Sequence, residues 1–122
     1  MDTMKKFLES VSVLLKRGEK ILIYPEQSMW WNYKKPRPLQ NGAFNLAVKN
    51  NVSIIPVFIT MQNSDVLDSE GFFVQEYTMH FCEPIYPDKN FNKKQNIEFM
   101  KNKNYEVWKE IYEKFYDKKL EY

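Results

Sequence analysis

The sequence predicts an α/β fold built from a mainly parallel βαβ unit and one later strand, flanked by helices. Two short, branched and almost wholly apolar runs, KILIYP and VSIIPVFIT, read as strands covered on both faces, the pattern of parallel sheets. Between them NGAFNLAVKNN has the end signals of a helix. Strand, helix, strand in that order is a crossover, right-handed in almost every case. The opening and closing segments are amphipathic at helical spacing.

In the opening segment Phe7, Val11, Leu14 and Leu15 recur on one stripe, with Met4 and Leu8 beside them. Glu9, Ser10, Ser12, Lys16 and Arg17 fill the other face, and Gly18 supplies a C-terminal cap. The central helix is expected to be capped by Asn41 and closed by Asn50 or Asn51. In VSIIPVFIT, Pro56 lacks the amide hydrogen of a central ladder, so a bulge or an edge is expected there. After the loop QNSDVLDSEG, the residues Phe73, Tyr77, Met79 and Phe81 alternate with Val74, Glu76, Thr78 and His80, a strand with one covered and one wetter face. Two helices finish the chain. Asn92 with Gln95 forms a capping box for the first, and Asn104 starts the second, on which Tyr105, Trp108, Tyr112 and Phe115 make one stripe.

The 122 residues read as a single domain, 43% hydrophobic and 16% aromatic, far from the composition of disordered chains. Eighteen basic residues against 16 acidic ones give a net charge of +2, too little to make the whole surface attract nucleic acid. Any anion site must therefore be local. One cysteine, Cys82, and one histidine, His80, leave no set of metal ligands, and no metal is expected. A lone thiol with no export signal fits a reducing cytoplasm, and no run approaches the ~18 apolar residues of a membrane span. Membrane contact, if made, is peripheral, on the inner face of the cell membrane.

The segment YPEQSMWWNYKKPRP, residues 24–38, leaves the first strand where α/β proteins place their ligand sites. Lys34, Lys35 and Arg37 precede the central helix, whose free amides also favour an anion. Trp30, Trp31 and Tyr33 carry apolar faces with polar edges, suited to a membrane interface or an apolar ligand. Glu26, next to a buried strand, needs a partner, and those cations are the nearest. The plainer alternative is a solvated charge run on a proline-stiffened loop, with the tryptophans capping the core.

YPEQS, NGAFNLA and VSIIPVFI resemble, in order and spacing, the blocks FPEGTRS, KGAF and VPxxPV of the lysophosphatidate (1-acyl-glycerol-3-phosphate) acyltransferases, within the glycerophospholipid acyltransferases. The tail, EPIYPD followed by a helix ending YEKFYDKKLEY, resembles the close of a bacterial subgroup. The resemblance implies a partial acyltransferase-like sheet and transfer of a fatty acyl group from acyl-CoA or acyl carrier protein to a lysophospholipid acceptor, with no other cofactor. It carries Pro25, Glu26 and Ser28 over as acceptor-block positions, with Tyr24, Gly42 and Pro56 as structural motif residues. Gln27 stands where glycine is usual and Met29 where arginine is. The phosphate cation is then expected among Lys34, Lys35 and Arg37.

The family's general base lies in an HxxxxD block, worth roughly a hundred- to ten-thousand-fold in rate. No HxxxxD exists in this sequence: the residue five places after His80 is Ile85. His80 on a wet strand face reads as an ordinary surface or half-buried residue, and Cys82 as an inert thiol. The expectation is a C-terminal half of an acyltransferase, inactive alone, partnered by the missing N-terminal half or by its own copy through an exposed sheet edge at ILI. The alternatives are a non-catalytic module holding anionic lipid or a protein and, more weakly, a single-stranded nucleic acid platform at WWNYKKPRP.

Overall fold

The computed structural model describes residues 2–27 and 34–122. The elements, in order, are α1 (Asp2–Lys16), α2 (Gly42–Asn50), β1 (Val57–Leu67), β2 (Phe73–Phe81) and α3 (Lys93–Tyr116). The fold is mixed α/β, but its sheet is a two-stranded antiparallel hairpin, so the expected parallel βαβ unit is corrected. The crossover lacks its first strand, because the ILI run forms no ladder, and the connection between β1 and β2, residues 68–72, is short enough to turn the chain straight back as a hairpin. The Asp68 carboxylate accepts the amides of Glu70 and Phe72, and Gly71 takes φ +86°, which closes the turn.

The ILI segment forms no strand: residues 21–24 are extended without a ladder, Leu22 is 76% exposed and Tyr24 71%. Its branched, apolar character suits a strand, yet a strand needs a neighbour for its amides and carbonyls, and no described strand pairs with it. VSIIPVFIT becomes a strand only after Pro56, which is fully buried at its entry. The Pro56 carbonyl accepts the Cys82 amide, while Ile54 and Ile85 form an isolated antiparallel bridge. β1 then continues to Leu67 with an irregularity after Asn63, so most of the expected QNSDVLDSEG loop is strand.

Cap chemistry explains the helix ends. At α1 the Glu19 amide donates to Leu14 and the Gly18 amide to Leu15, with Gly18 at φ +82°, a Schellman closure that uses glycine's freedom. Asn51 closes α2 in the same way at φ +50°. Asn41, by contrast, is helical in its own backbone and makes no side-chain cap bond, because its Oδ1 accepts Lys101 Nζ at 2.9 Å. The Asn92–Gln95 capping box is present in both directions.

Asn104 does not start a second helix. It lies inside α3, 2% exposed, one turn from both Met100 and Trp108. Burying that row carries the helix through a residue whose own preference is for a cap. α3 thereby backs two cores, one of Phe44, Ala47, Ile85 and Met100, the other of Phe58, Trp108, Tyr112 and Leu120, and Leu39 packs against both. It lies against one face of the hairpin: Phe58 stacks on Trp108 at 5.6 Å, and the Tyr116 hydroxyl accepts the Met61 amide at 2.9 Å. The other hairpin face, expected to be covered, is exposed from Phe73 through Phe81.

Candidate functional site

The loop after Ile23 is pinned at its base by two hydrogen bonds. The Gln40 amide donates to the Pro25 carbonyl at 2.8 Å, and the Arg37 amide donates to Glu26 Oε2 at 2.6 Å. Glu26 therefore acts on the backbone of the basic stretch, tying together positions eleven apart. Ser28, Met29, Trp30, Trp31 and Tyr33 lie outside the described residues, so the expectations resting on them have no structural counterpart here.

Between Glu26 and that segment, Gln27 takes φ +59°, the left-handed region. Glycine enters it freely and a side chain does so at a cost of roughly 1 kcal/mol, which gives a physical reason for the glycine usual in the resembling block. The Gln27 side chain reaches back to α2: a Cβ built on Gly42 would stand 2.9 Å from Gln27 Nε2. Gly42 is thus the place where the loop closes on the helix start. Tyr24 is exposed, and Pro25 contributes through its carbonyl.

The cations of the loop turn toward aromatic rings of α3 and the C-terminus. Lys34 Nζ stands 5.7 Å above the Tyr116 ring and Lys35 Nζ 4.8 Å above that of Tyr122. The chain end is held by burial of Leu120, whose amide donates to Glu113 Oε2 at 2.8 Å, and the Tyr122 hydroxyl then donates to the Pro36 carbonyl at 2.9 Å. Although Tyr122 is 60% exposed, partial desolvation pushes its phenol up from the usual range, and Tyr105 and the Glu26 carboxylate add to the push. Glu26, Lys35, Arg37, Tyr105 and Tyr122 therefore form one neighbourhood, assembled from residues up to ninety-six positions apart along the chain.

Two shallow hollows flank the α2 start. One, of about 280 Å³, is lined by Pro38, Leu39, Lys101, Asn102, Tyr105 and Tyr122. The other, of about 290 Å³, is lined by Asn41, Lys93, Lys94, Ile97 and Glu98. Both fall at the lower edge of ligand-pocket size, enough for a small polar head group and not for a fatty chain. Lys101, bonded to Asn41 Oδ1 and paired with Glu98 at 3.4 Å, stands between them. Sequence reasoning missed Lys101, Tyr105 and Tyr122 as site residues, because no local pattern marks a helix-borne lysine or a terminal tyrosine as a neighbour of residues 24–38.

His80 and Cys82 are occupied otherwise. His80 Nε2 lies 2.8 Å from the hydroxyl of the fully buried Thr60, and its ring meets Phe115 edge-on at 6.1 Å. The Cys82 thiol is pushed up by burial, which lowers its thiolate fraction and its reactivity. The neighbourhood gathers cationic and phenolic groups around Glu26, while His80, the chain's one histidine, lies apart from it, between the hairpin and α3.

No helix among the described residues is long and apolar enough to cross a membrane. No curated protein and no solved structure matches the chain. Residues 1–60 match the model of the acyltransferase family, which supports the acyltransferase superfamily and a general acyltransferase-like function for a stretch that contains α1, the pinned loop and α2.

Proposed function

We propose that this chain carries the acceptor-binding part of a glycerophospholipid acyltransferase, the reaction moving a fatty acyl group from acyl-CoA or acyl carrier protein to a lysophospholipid such as lysophosphatidate. One observation carries the reading. Glu26 accepts the Arg37 backbone amide at 2.6 Å, which ties the basic stretch of Lys34, Lys35 and Arg37 to the base of the loop that leads into α2. Cationic side chains gathered at the base of that loop suit a phosphate monoester. Lys34, Lys35 and Arg37 take the part that the resembling block gives to the arginine replaced here by Met29.

The general base comes from outside these 122 residues, since the sequence has no HxxxxD and His80 is held by Thr60. The chain alone binds acceptor and does not turn over. Radiolabelled acyl transfer to lysophosphatidate is expected to be undetectable with the chain alone and to appear when an HxxxxD-bearing half is supplied. Replacing Lys34, Lys35 and Arg37 together by Ala is expected to weaken lysophosphatidate binding by at least tenfold. Transfer by the isolated chain, or unchanged binding by the triple variant, overturns the proposal.

The committed state of His80 also favours a second reading, a non-catalytic module that holds anionic lipid at a cytoplasmic membrane face. Flotation with anionic vesicles that weakens with salt, and no transfer after the HxxxxD half is restored, would select it.

A further inference from the structure

β1 and β2 pair Val57 with Phe81, Ile59 with Met79, Met61 with Tyr77, Asn63 with Gln75 and Leu67 with Phe73. These pairs share the hairpin face turned away from α3, since Phe58 and Thr60, of the opposite parity, are the buried ones. None of the ten side chains is charged, and Asn63 and Gln75 satisfy each other across the strands. Six of them, Ile59, Leu67, Phe73, Tyr77, Met79 and Phe81, are between 45% and 70% exposed. An isolated two-stranded hairpin is marginal in water, so such a face is a liability until something covers it.

We propose that a second copy of this chain covers it, the two hairpin faces packing across a two-fold axis. Area is the first argument. Taking about 200 Å² for a large side chain, the six offer about 650 Å², so two faces remove about 1,300 Å² from water, just above the lower limit of stable interfaces. Composition is the second: Tyr, Phe and Met are the residues enriched in interface cores, and a face without charge meets its own copy with no buried ion to desolvate.

Charge also selects among occupants and fixes the orientation. From residue 57 to residue 83 the chain has Asp65, Asp68, Glu70, Glu76 and Glu83 and neither Lys nor Arg. This acidic hairpin is repelled by an anionic bilayer, which disfavours a membrane surface as the cover. Asp65, Asp68 and Glu70 cluster at the tip, so the copies pair with their tips at opposite ends. The face, and not the outer edge of β1, makes the contact, because Tyr116 already takes the edge amide of Met61.

Sedimentation of the full chain tests this without reference to acyl transfer. The wild type is expected to pass from monomer to dimer near about 10 μM, and Met79→Glu or Ile59→Lys alone to raise the dissociation constant at least tenfold. Should a charge unfold the hairpin, as circular dichroism would report, Met79→Gln carries the test with a smaller weakening. A wild type that stays monomeric at about 100 μM, or Met79→Glu that dimerises as the wild type does, overturns the proposal. So does a monomer that floats with neutral vesicles through this face.

Discussion

Replacing Glu26 by Ala separates the structural work of this carboxylate from any contact with ligand. The side chain accepts the Arg37 amide at 2.6 Å, partly buried, and with the Pro25–Gln40 bond it closes the base of the loop. A hydrogen bond to a charged acceptor contributes about 1.5–3 kcal/mol, and partial access of water to the freed amide puts Glu26→Ala at the low end, about 1.5–2 kcal/mol. Glu26→Gln keeps an acceptor oxygen and loses the charge, so about half that cost is expected. In urea, a slope near 2 kcal/mol/M turns the alanine cost into a midpoint lower by about 1 M, with the slope unchanged. A midpoint shift below about 0.2 M for Glu26→Ala would refute the tie. Equal costs for Ala and Gln would show that charge, and not the position of the acceptor, is what the loop uses.

Two other outcomes follow from buried polar groups. Asn104 Nδ2 is buried in the middle of α3 without a partner, so Asn104→Leu removes an unmet donor and adds apolar volume. A gain of about 1 kcal/mol in urea unfolding is expected, provided the core between Met100 and Trp108 takes the branched side chain. Tyr122 titrates above its unfolded value, so its contribution is complete below the ordinary tyrosine pKa and is lost as pH rises through the raised one. Stability therefore falls above about pH 10. Tyr122→Phe costs about 1 kcal/mol near neutrality, for the bond to Pro36, and shows a shallower alkaline fall. Tyr116, raised chiefly by burial, keeps part of the slope.

Signals that act within a few residues were legible in the sequence. Gly18, Asn51 and the Asn92–Gln95 box end or begin their helices by local hydrogen bonds, and each stands where its chemistry requires. What was not legible depends on partners far along the chain. Asn41 loses its cap role to Lys101, sixty positions away, and Asn104 loses its role as a helix start to the buried row of Met100 and Trp108. Sheet direction was misread for a related reason: apolar runs report burial and say nothing of which strand lies beside which. At the site, Glu26 and the cations of residues 34–37 were legible as a charge pattern, but their anchoring by Tyr116 and Tyr122 requires the folded path of the C-terminus.

The unpaired state of residues 21–24 bears on the site more than on the core. In an open α/β sheet the strand before a ligand loop is held on both sides, and the loop inherits its position. Here that support is missing among the described residues, and the loop instead hangs on two backbone-directed hydrogen bonds, the Gln27 contact to α2 and the tyrosines of α3 and the C-terminus. Each such tie is worth on the order of 1–2 kcal/mol, so the loop base rests on a few separate contacts and not on a cooperative ladder. Completing the sheet beside Leu22 would then do two things at once: it would bury 76%-exposed leucine surface and stiffen the segment that carries Glu26. Anion affinity and hydrogen-exchange protection of residues 21–27 should therefore rise together when a neighbouring strand is supplied. Were protection to rise with affinity unchanged, the geometry of the loop base would be irrelevant to binding, and the cations alone would account for it.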